Sequence, residues 1–323
     1  MALATMNLCP GKSALLCSLP VNSAMHTLVV GARFSGFHIA MEATNYGSVC
    51  GTRRQASDLA QLSGAGIEAV ALSGIEKSGS SCEQLDITDD VNDQFARTTH
   101  LIICSAPARQ EPLDDPVLRL FNSGINLPSL EWVGYLSTIG VYGNHDGEWV
   151  NEETPCTSTQ IRSIMRRQAE QGWIAQASIW QVPLAILRLS GIYGPGRSAV
   201  DDAIAGRARM LIKPGQVFNR VHVADIATAC IQAAIAQSHA TINVTDDLPA
   251  APQDVVRYAH RLVGRPAPAE VPFASADISD MARSFYSENK RVDNALSKKL
   301  LGMSYRYPTY REGLDALWAA RNS

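Results

Sequence analysis

The chain has 323 residues, 46% of them hydrophobic and 18% charged, and a net charge of -3. That describes an ordinary globular protein with room for one large α/β domain or two modest lobes, and gives no electrostatic reason to expect nucleic acid or an anionic membrane as a partner. No apolar run approaches the roughly 18 residues that span a bilayer. The seven cysteines are scattered and include no C-x-x-C, which argues for reduced thiols in a cytoplasm and against a disulfide framework or a zinc site. No histidine spacing suggests a metal.

Residues 1–24 carry Lys12 as their sole charged side chain. They read either as a targeting segment or as an upstream start ahead of Met25, and are expected to be poorly ordered. Thr27 to Val30 then suits a buried parallel strand. Gly31 and Gly36 bracket a tight turn, Phe37 to Thr44 has helical composition, and Ser48 to Cys50 is a second apolar run that ends on Gly51-Thr52-Arg53-Arg54. Strand, glycine turn, helix and strand within about 30 residues is the dinucleotide-binding unit.

Backbone N–H groups from Gly31 through Arg33, Phe34 and Ser35 to Gly36, with the positive end of the helix dipole, would face a pyrophosphate. Arg33 stands where the middle glycine of G-x-G-x-x-G belongs. An NAD site usually places a carboxylate about 20 residues past the first glycine. Here Thr52, Arg53 and Arg54 occupy that region, and the first carboxylate is Asp58. Arg53, Arg54 and Arg33 could pair with a 2′-phosphate, so NADP(H) is preferred to NAD(H), which stays open; the alternative is that the arginines are solvated loop charges.

A helical segment at Ser57 to Leu62 leads to a third strand, Glu68 to Leu72, and a polar loop at Ser73 to Glu83. Asp86 follows, facing the adenine as in related folds or capping the helix from Asp89. His100 to Cys104 is the fourth strand, and the small residues Ser105 and Ala106 at its carboxyl end would let a cofactor lie against the backbone. Trp132 to Ser137 is the fifth strand, Thr159 to Ile179 a long helix, and Leu184 to Leu189 the sixth strand. Ala224 to Gln237 is a further helix and Thr241 to Val244 a further strand. This alternation predicts a Rossmann-type α/β fold with a doubly wound parallel sheet. The domains are expected at 25–190 plus 222–248 for the dinucleotide-binding part and at 191–221 plus 249–323 for a smaller substrate lobe.

The glycine turn, Leu136-Ser137-Thr138-Ile139-Gly140-Val141-Tyr142-Gly143, Leu187 to Arg197 with its Gly191-Ile192-Tyr193-Gly194-Pro195-Gly196, His222-Val223-Ala224-Asp225 and Asn243-Val244 occur in that order. From His26 onward the chain resembles the extended short-chain dehydrogenase/reductase superfamily, of the NAD-dependent epimerase/dehydratase type. Phe285 to Arg291 and Tyr307-Pro308-Thr309-Tyr310 resemble an atypical subgroup.

The resemblance implies a Ser/Thr, a Tyr and a Lys four residues after the Tyr as catalysts. Thr138 stands in the hydroxyl's place, with Ser137 as the fallback. Counting back from Glu170 puts Arg162 at the Tyr position and Arg166 at the Lys position. Arg166 could hold the nicotinamide ribose, but Arg162 cannot act as an acid near neutral pH. The proton would then come from Tyr142, Tyr193 or Tyr286, or from substrate and water, although Tyr142 is commonly a packing residue within Val-Tyr-Gly. Phe218 replaces the arginine that grips diphosphate in nucleotide-sugar enzymes of the family, so a UDP-sugar is not implied.

The expected activity is NADP(H)-dependent hydride transfer at a carbonyl, imine or hydroxyl carbon of a small metabolite. Alternatives are an epimerase or dehydratase that oxidises its substrate transiently, and a non-catalytic NADP(H)-binding regulator. No metal, nucleic acid or membrane partner is expected; family habit suggests a homodimer.

Overall fold

The computed structural model describes residues 25–72, 88–107 and 115–322. The apolar run Met25–Val30 forms β1, and α1 (Phe34–Ala43) leads to β2 (Gly47–Arg53). A 3-10 turn at Ala56–Asp58 and α2 (Ala60–Ser63) precede β3 (Glu68–Ala71). Then come α3 (Asp89–Arg97), β4 (His100–Ile103), α4 (Pro116–Asn122) and β5 (Trp132–Thr138). The short β6 (Trp149–Val150) is followed by α5 (Ile161–Trp180), β7 (Leu184–Leu189) and β8 (Gly191–Tyr193). Next are α6 (Ala199–Ile204), β9 (Met210–Ile212), β10 (Arg220–His222), α7 (Val223–Ile235) and β11 (Ala240–Val244). The chain continues through α8 (Pro252–Leu262), β12 (Glu270–Pro272), α9 (Asp280–Tyr286), β13 (Arg291–Val292), α10 (Ala295–Leu301) and α11 (Tyr310–Asn322).

Seven strands form one sheet in the order β11-β7-β5-β4-β1-β2-β3, each pair parallel. Both faces are covered, which is why the strands read as near-continuous apolar runs. Val29, Ile102 and Leu187 point to the face covered by Ile39 and Ala40 of α1 and Ile226 and Cys230 of α7. Their neighbours Leu28, Leu101 and Ile186 point to the opposite face, against Phe95 of α3, Phe121 of α4 and Trp173 of α5. The period of two thus divides each strand between two cores. Strand order reverses between β1 and β4, and this opens the ligand crevice of such sheets at the carboxyl ends.

The helix expected over Ser57 to Leu62 is broken, and α4 goes unread although its signal is local. Asp115 accepts from the N–H groups of Val117 and Leu118 (3.0 and 3.2 Å), and Pro116 stands at the first helical position, where no N–H is needed. The second oxygen of Asp115 accepts from Trp173 Nε1 (3.0 Å), which ties α4 to α5.

Around the carboxyl ends, β8 pairs with β10, β9 with β12 and β6 with β13 in short parallel pairs. A core of Tyr193, Val200, Val255, Tyr310 and Leu314 supports this region. A second small core groups Leu211 and Tyr286 with Phe218 and Phe273. Among the described residues no helix is long and apolar enough to cross a membrane.

Candidate cofactor and substrate site

The turn after β1 is built for close approach. Gly31 sits at φ +84, a region that costs a side-chain-bearing residue energy, and a Cβ there would lie 3.0 Å from the Ser105 nitrogen. A Cβ on Gly36 would fall 2.8 Å from the Gly31 carbonyl oxygen and 3.2 Å from Cys104 Sγ. Gly31 N–H donates to Thr52 Oγ1 (3.1 Å) and Ala32 N–H to the Thr52 carbonyl (2.9 Å), which fastens the turn to β2.

No side chain caps α1. Its first-turn N–H groups, on Phe34, Ser35 and Gly36, are therefore available to an anion. Arg33 has φ -85 and ψ -139, so the backbone needs no glycine at this position. Its side chain is 75% exposed and reaches Asp58 (3.6 Å), away from the turn. Ser105 Oγ is buried and has no partner among the described residues, as expected of a hydroxyl that faces a bound group. Ala106 beside it is exposed. These residues fit the pyrophosphate of a dinucleotide.

At the end of β2, Arg53 Nη2 donates to Gln61 Oε1 (2.8 Å), while its buried Nε has no partner among the described residues. Burial pulls the Arg53 pKa down, the nearby Arg33 charge adds to this, and Asp58 opposes it. Arg54 is exposed on the same strand end. Arg33 and Arg53 thus stand near one another at the end of β2, with Asp58 beside them and the exposed Arg54 next in the chain. Asp86 lies outside the described residues.

At the end of β5 the sequence-derived candidates separate. Thr138 Oγ1 accepts from Gly140 N–H (3.1 Å) and starts a 3-10 turn over Ile139–Tyr142, which leaves its own proton for a substrate oxygen. Ser137 instead donates to Glu170 Oε1 inside the core, and Arg188 grips the same carboxylate through Nε (3.1 Å) and Nη2 (2.8 Å). Ser137 is therefore a bridge between β5, α5 and β7, and the fallback role does not fit it.

Two tyrosines offered as proton donors are also corrected. Tyr142 is 0% exposed; its hydroxyl donates to Asn243 Oδ1 (2.7 Å) and the Arg188 guanidinium lies 4.9 Å over its ring. Burial raises its pKa, and no open face reaches a substrate. Tyr193 ends β8 and is enclosed. Its ring is buried against His222 and α11, its hydroxyl points toward the Thr309 carbonyl (3.5 Å), and burial raises its pKa as well. Tyr286 packs on Phe218 and Phe273.

Arg166 ties the carboxyl ends of β4 and β5 together. Its Nη1 donates to the carbonyls of Ser105 (3.3 Å) and Leu136 (2.8 Å) and meets the Tyr135 hydroxyl (3.1 Å). One turn earlier on α5, Arg162 lies over the Phe285 ring at 4.0 Å.

Sequence reasoning missed what lies beside them. Lys290 Nζ donates to the Gly143 carbonyl (2.6 Å) and pairs with Glu288 (3.0 Å), whose other oxygen accepts from Ser158 Oγ (2.7 Å). Burial lowers the Lys290 pKa and Glu288 opposes the shift. Within Glu-Asn-Lys-Arg this lysine reads as a solvated charge; its burial comes from a segment far away in sequence, so no local signal could reveal it.

No protein-family profile and no curated protein matches the chain. Solved structures do. A functionally unknown conserved protein from Silicibacter pomeroyi DSS is 38% identical over 93% of this chain and 100% of its own, with a TM-score of 0.77. The UDP-glucose 4-epimerase of Thermotoga maritima, solved with UDP-glucose, is 18% identical over 92% and 99%, with a TM-score of 0.72. The dTDP-glucose 4,6-dehydratase of Bacillus anthracis, solved with NAD, is 18% identical over 93% and 98%, with a TM-score of 0.71. The latter two likenesses establish the Rossmann-type fold.

Proposed function

Because the chain belongs to the same family as the Silicibacter pomeroyi protein and has the fold of NAD-dependent epimerases and dehydratases, we propose that it is a nicotinamide-dinucleotide enzyme of that type. The observation that carries this reading is the cradle made by Gly31, the uncapped start of α1 and the partnerless Ser105 hydroxyl. A nicotinamide held there supplies a hydride acceptor for a hydroxyl-bearing carbon and a donor for the return step.

Within this reading the protein's own groups divide the remaining work. The first-turn N–H groups of α1 hold the pyrophosphate. Arg166 braces β4 against β5 at their carboxyl ends, and the Thr138 hydroxyl would donate to the substrate oxygen. With Tyr142, Tyr193 and Tyr286 all packed in the interior, the substrate proton leaves through water or a substrate group. A second reading, net reduction, is favoured by the cluster of Arg33, Arg53 and Arg54, which suits the 2′-phosphate of NADPH. The four described cysteines are free thiols, which suits a reducing, cytoplasmic compartment. Exposed Ile174 and Ile179 on α5 are surface that a second copy would cover in a homodimer.

Calorimetric titration with NADPH and NADH tests the cofactor assignment. NADPH is expected to bind the more tightly, and Arg53→Glu with Arg54→Glu should weaken NADPH by about tenfold or more while NADH changes little. Equal loss for both cofactors would overturn the 2′-phosphate reading. Absorbance of the reduced nicotinamide during turnover then separates the two chemistries: an epimerase or dehydratase consumes no cofactor, and a reductase consumes it in step with product.

A further inference from the structure

We propose that the substrate is a small anion carrying a carboxylate or phosphate group, and that Arg162 is the residue that grips it. This rests on the preceding reading for the position of the reaction.

Arg162 differs from every other arginine around it. Arg166 meets three oxygens through one nitrogen, Arg167 donates to the Cys156 carbonyl (2.7 Å), and Arg188 is locked on Glu170. Arg162 makes no hydrogen bond or ion pair among the described residues; its contact is the Phe285 ring beneath it at 4.0 Å. A ring under a guanidinium occupies its face and fixes its plane, while the N–H groups at the edge stay available for a two-pronged grip on an anion. Phe285 is itself 53% exposed, so the pair lies at the protein surface and not in the core.

The helical turn that carries Arg162 packs on the turn proposed for the chemistry. Ser163, the neighbour of Arg162, packs on the Thr138 turn: a Cβ on Gly140 would lie 3.0 Å from Ser163 Oγ and 3.4 Å from Thr138 Oγ1. The segment bearing Phe285 is fastened to the start of α5 by Gln160 Nε2 donating to Ser287 Oγ (3.1 Å) and by Ser158 donating to Glu288. Lys213 Nζ donates to the carbonyl of Tyr286, the residue after Phe285.

Neither Arg162 nor Lys213 has a carboxylate within ion-pair reach among the described residues. Glu288, the carboxylate of this segment, is already committed to Lys290. A cation held on an aromatic ring and left without a counter-ion selects ligands that bring the counter-charge with them.

The test titrates the protein, with and without NADP+, with matched probes: lactate against lactamide, glycerol 3-phosphate against glycerol, and a panel of small hydroxy acids and sugar phosphates each set against its neutral amide or alcohol. In at least one pair the anion should bind roughly ten- to hundredfold more tightly, the span of hydrogen bonds to a charged group. Which pairs respond decides between carboxylate and phosphate.

Arg162→Gln should erase the preference, Arg162→Lys should keep part of it, and Phe285→Ala should weaken it by loosening the guanidinium. A wild-type protein that treats every anion like its neutral partner overturns the inference. So does a folded Arg162→Gln protein that keeps the preference. Failure of NADPH and NADH to bind, with the anion preference intact, would instead remove the enzyme reading and leave the anion site standing.

Discussion

Ser137, Glu170 and Arg188 show how a residue's meaning depends on what it touches. Arg188 and Glu170 are both buried and form a two-pronged ion pair, with the Ser137 hydroxyl completing the carboxylate's shell. Deleting one partner of such a pair leaves an uncompensated buried charge, which costs more than the pair itself contributes. Arg188→Ala should therefore lower stability by about 3–5 kcal/mol, read as a fall in the denaturant midpoint. It also removes the cation over Tyr142. The double change Arg188→Met with Glu170→Leu should recover much of the loss, because a matched apolar pair needs no compensation. A single substitution that costs nothing would show the pair to be solvated, and would return Ser137 to the list of groups free to face a substrate.

At the scale of elements, the β1–turn–α1 unit has the least tolerance. Gly36→Ala would press a methyl group on the Gly31 carbonyl and on Cys104, and backbone cannot move aside as a side chain can. Stability should fall by about 1–3 kcal/mol, and dinucleotide affinity by about tenfold or more, as titration of the folded variant would report. A variant that binds normally would mean that the turn relaxes, so that the cradle is not what selects glycine.

This unit was legible in the sequence because everything that shapes it lies within about 30 residues: β-branched strand, glycine turn, helix, strand. The α4 signal was as local, with Asp115 and Pro116 marking its start and Val117, Leu120 and Phe121 at helical spacing, but the helix spans only Pro116–Asn122 and its pattern is too short to stand out. The Arg162–Phe285 and Lys290–Gly143 contacts were not legible, since each joins segments more than a hundred positions apart.

For the whole molecule, the joint between the parallel sheet and the elements above its carboxyl ends is held by a buried acid. Asp246 follows β11, and its N–H donates to the Arg220 carbonyl (2.7 Å) in β10. Its Oδ1 accepts from Leu248 N–H (3.2 Å), while Oδ2 has no partner among the described residues. Burial pushes its carboxyl up to about 8; Asp247 and Asp225 add to the shift, and the Leu248 N–H and the Arg220 guanidinium oppose it. An unfolded chain releases this proton near pH 3.9. Between those values the folded chain holds a proton that the unfolded chain has lost, so stability falls as pH rises through the window and levels off above it. Asp246→Asn keeps the shape and stays neutral, so its stability should lack this slope. The difference between the two proteins should grow to the order of a few kcal/mol by the upper end of the window, measured as denaturant midpoints on both sides of it. Parallel curves would mean that Asp246 is ionised throughout and paired with Arg220. In that case the joint would be held by charge, and would weaken in acid.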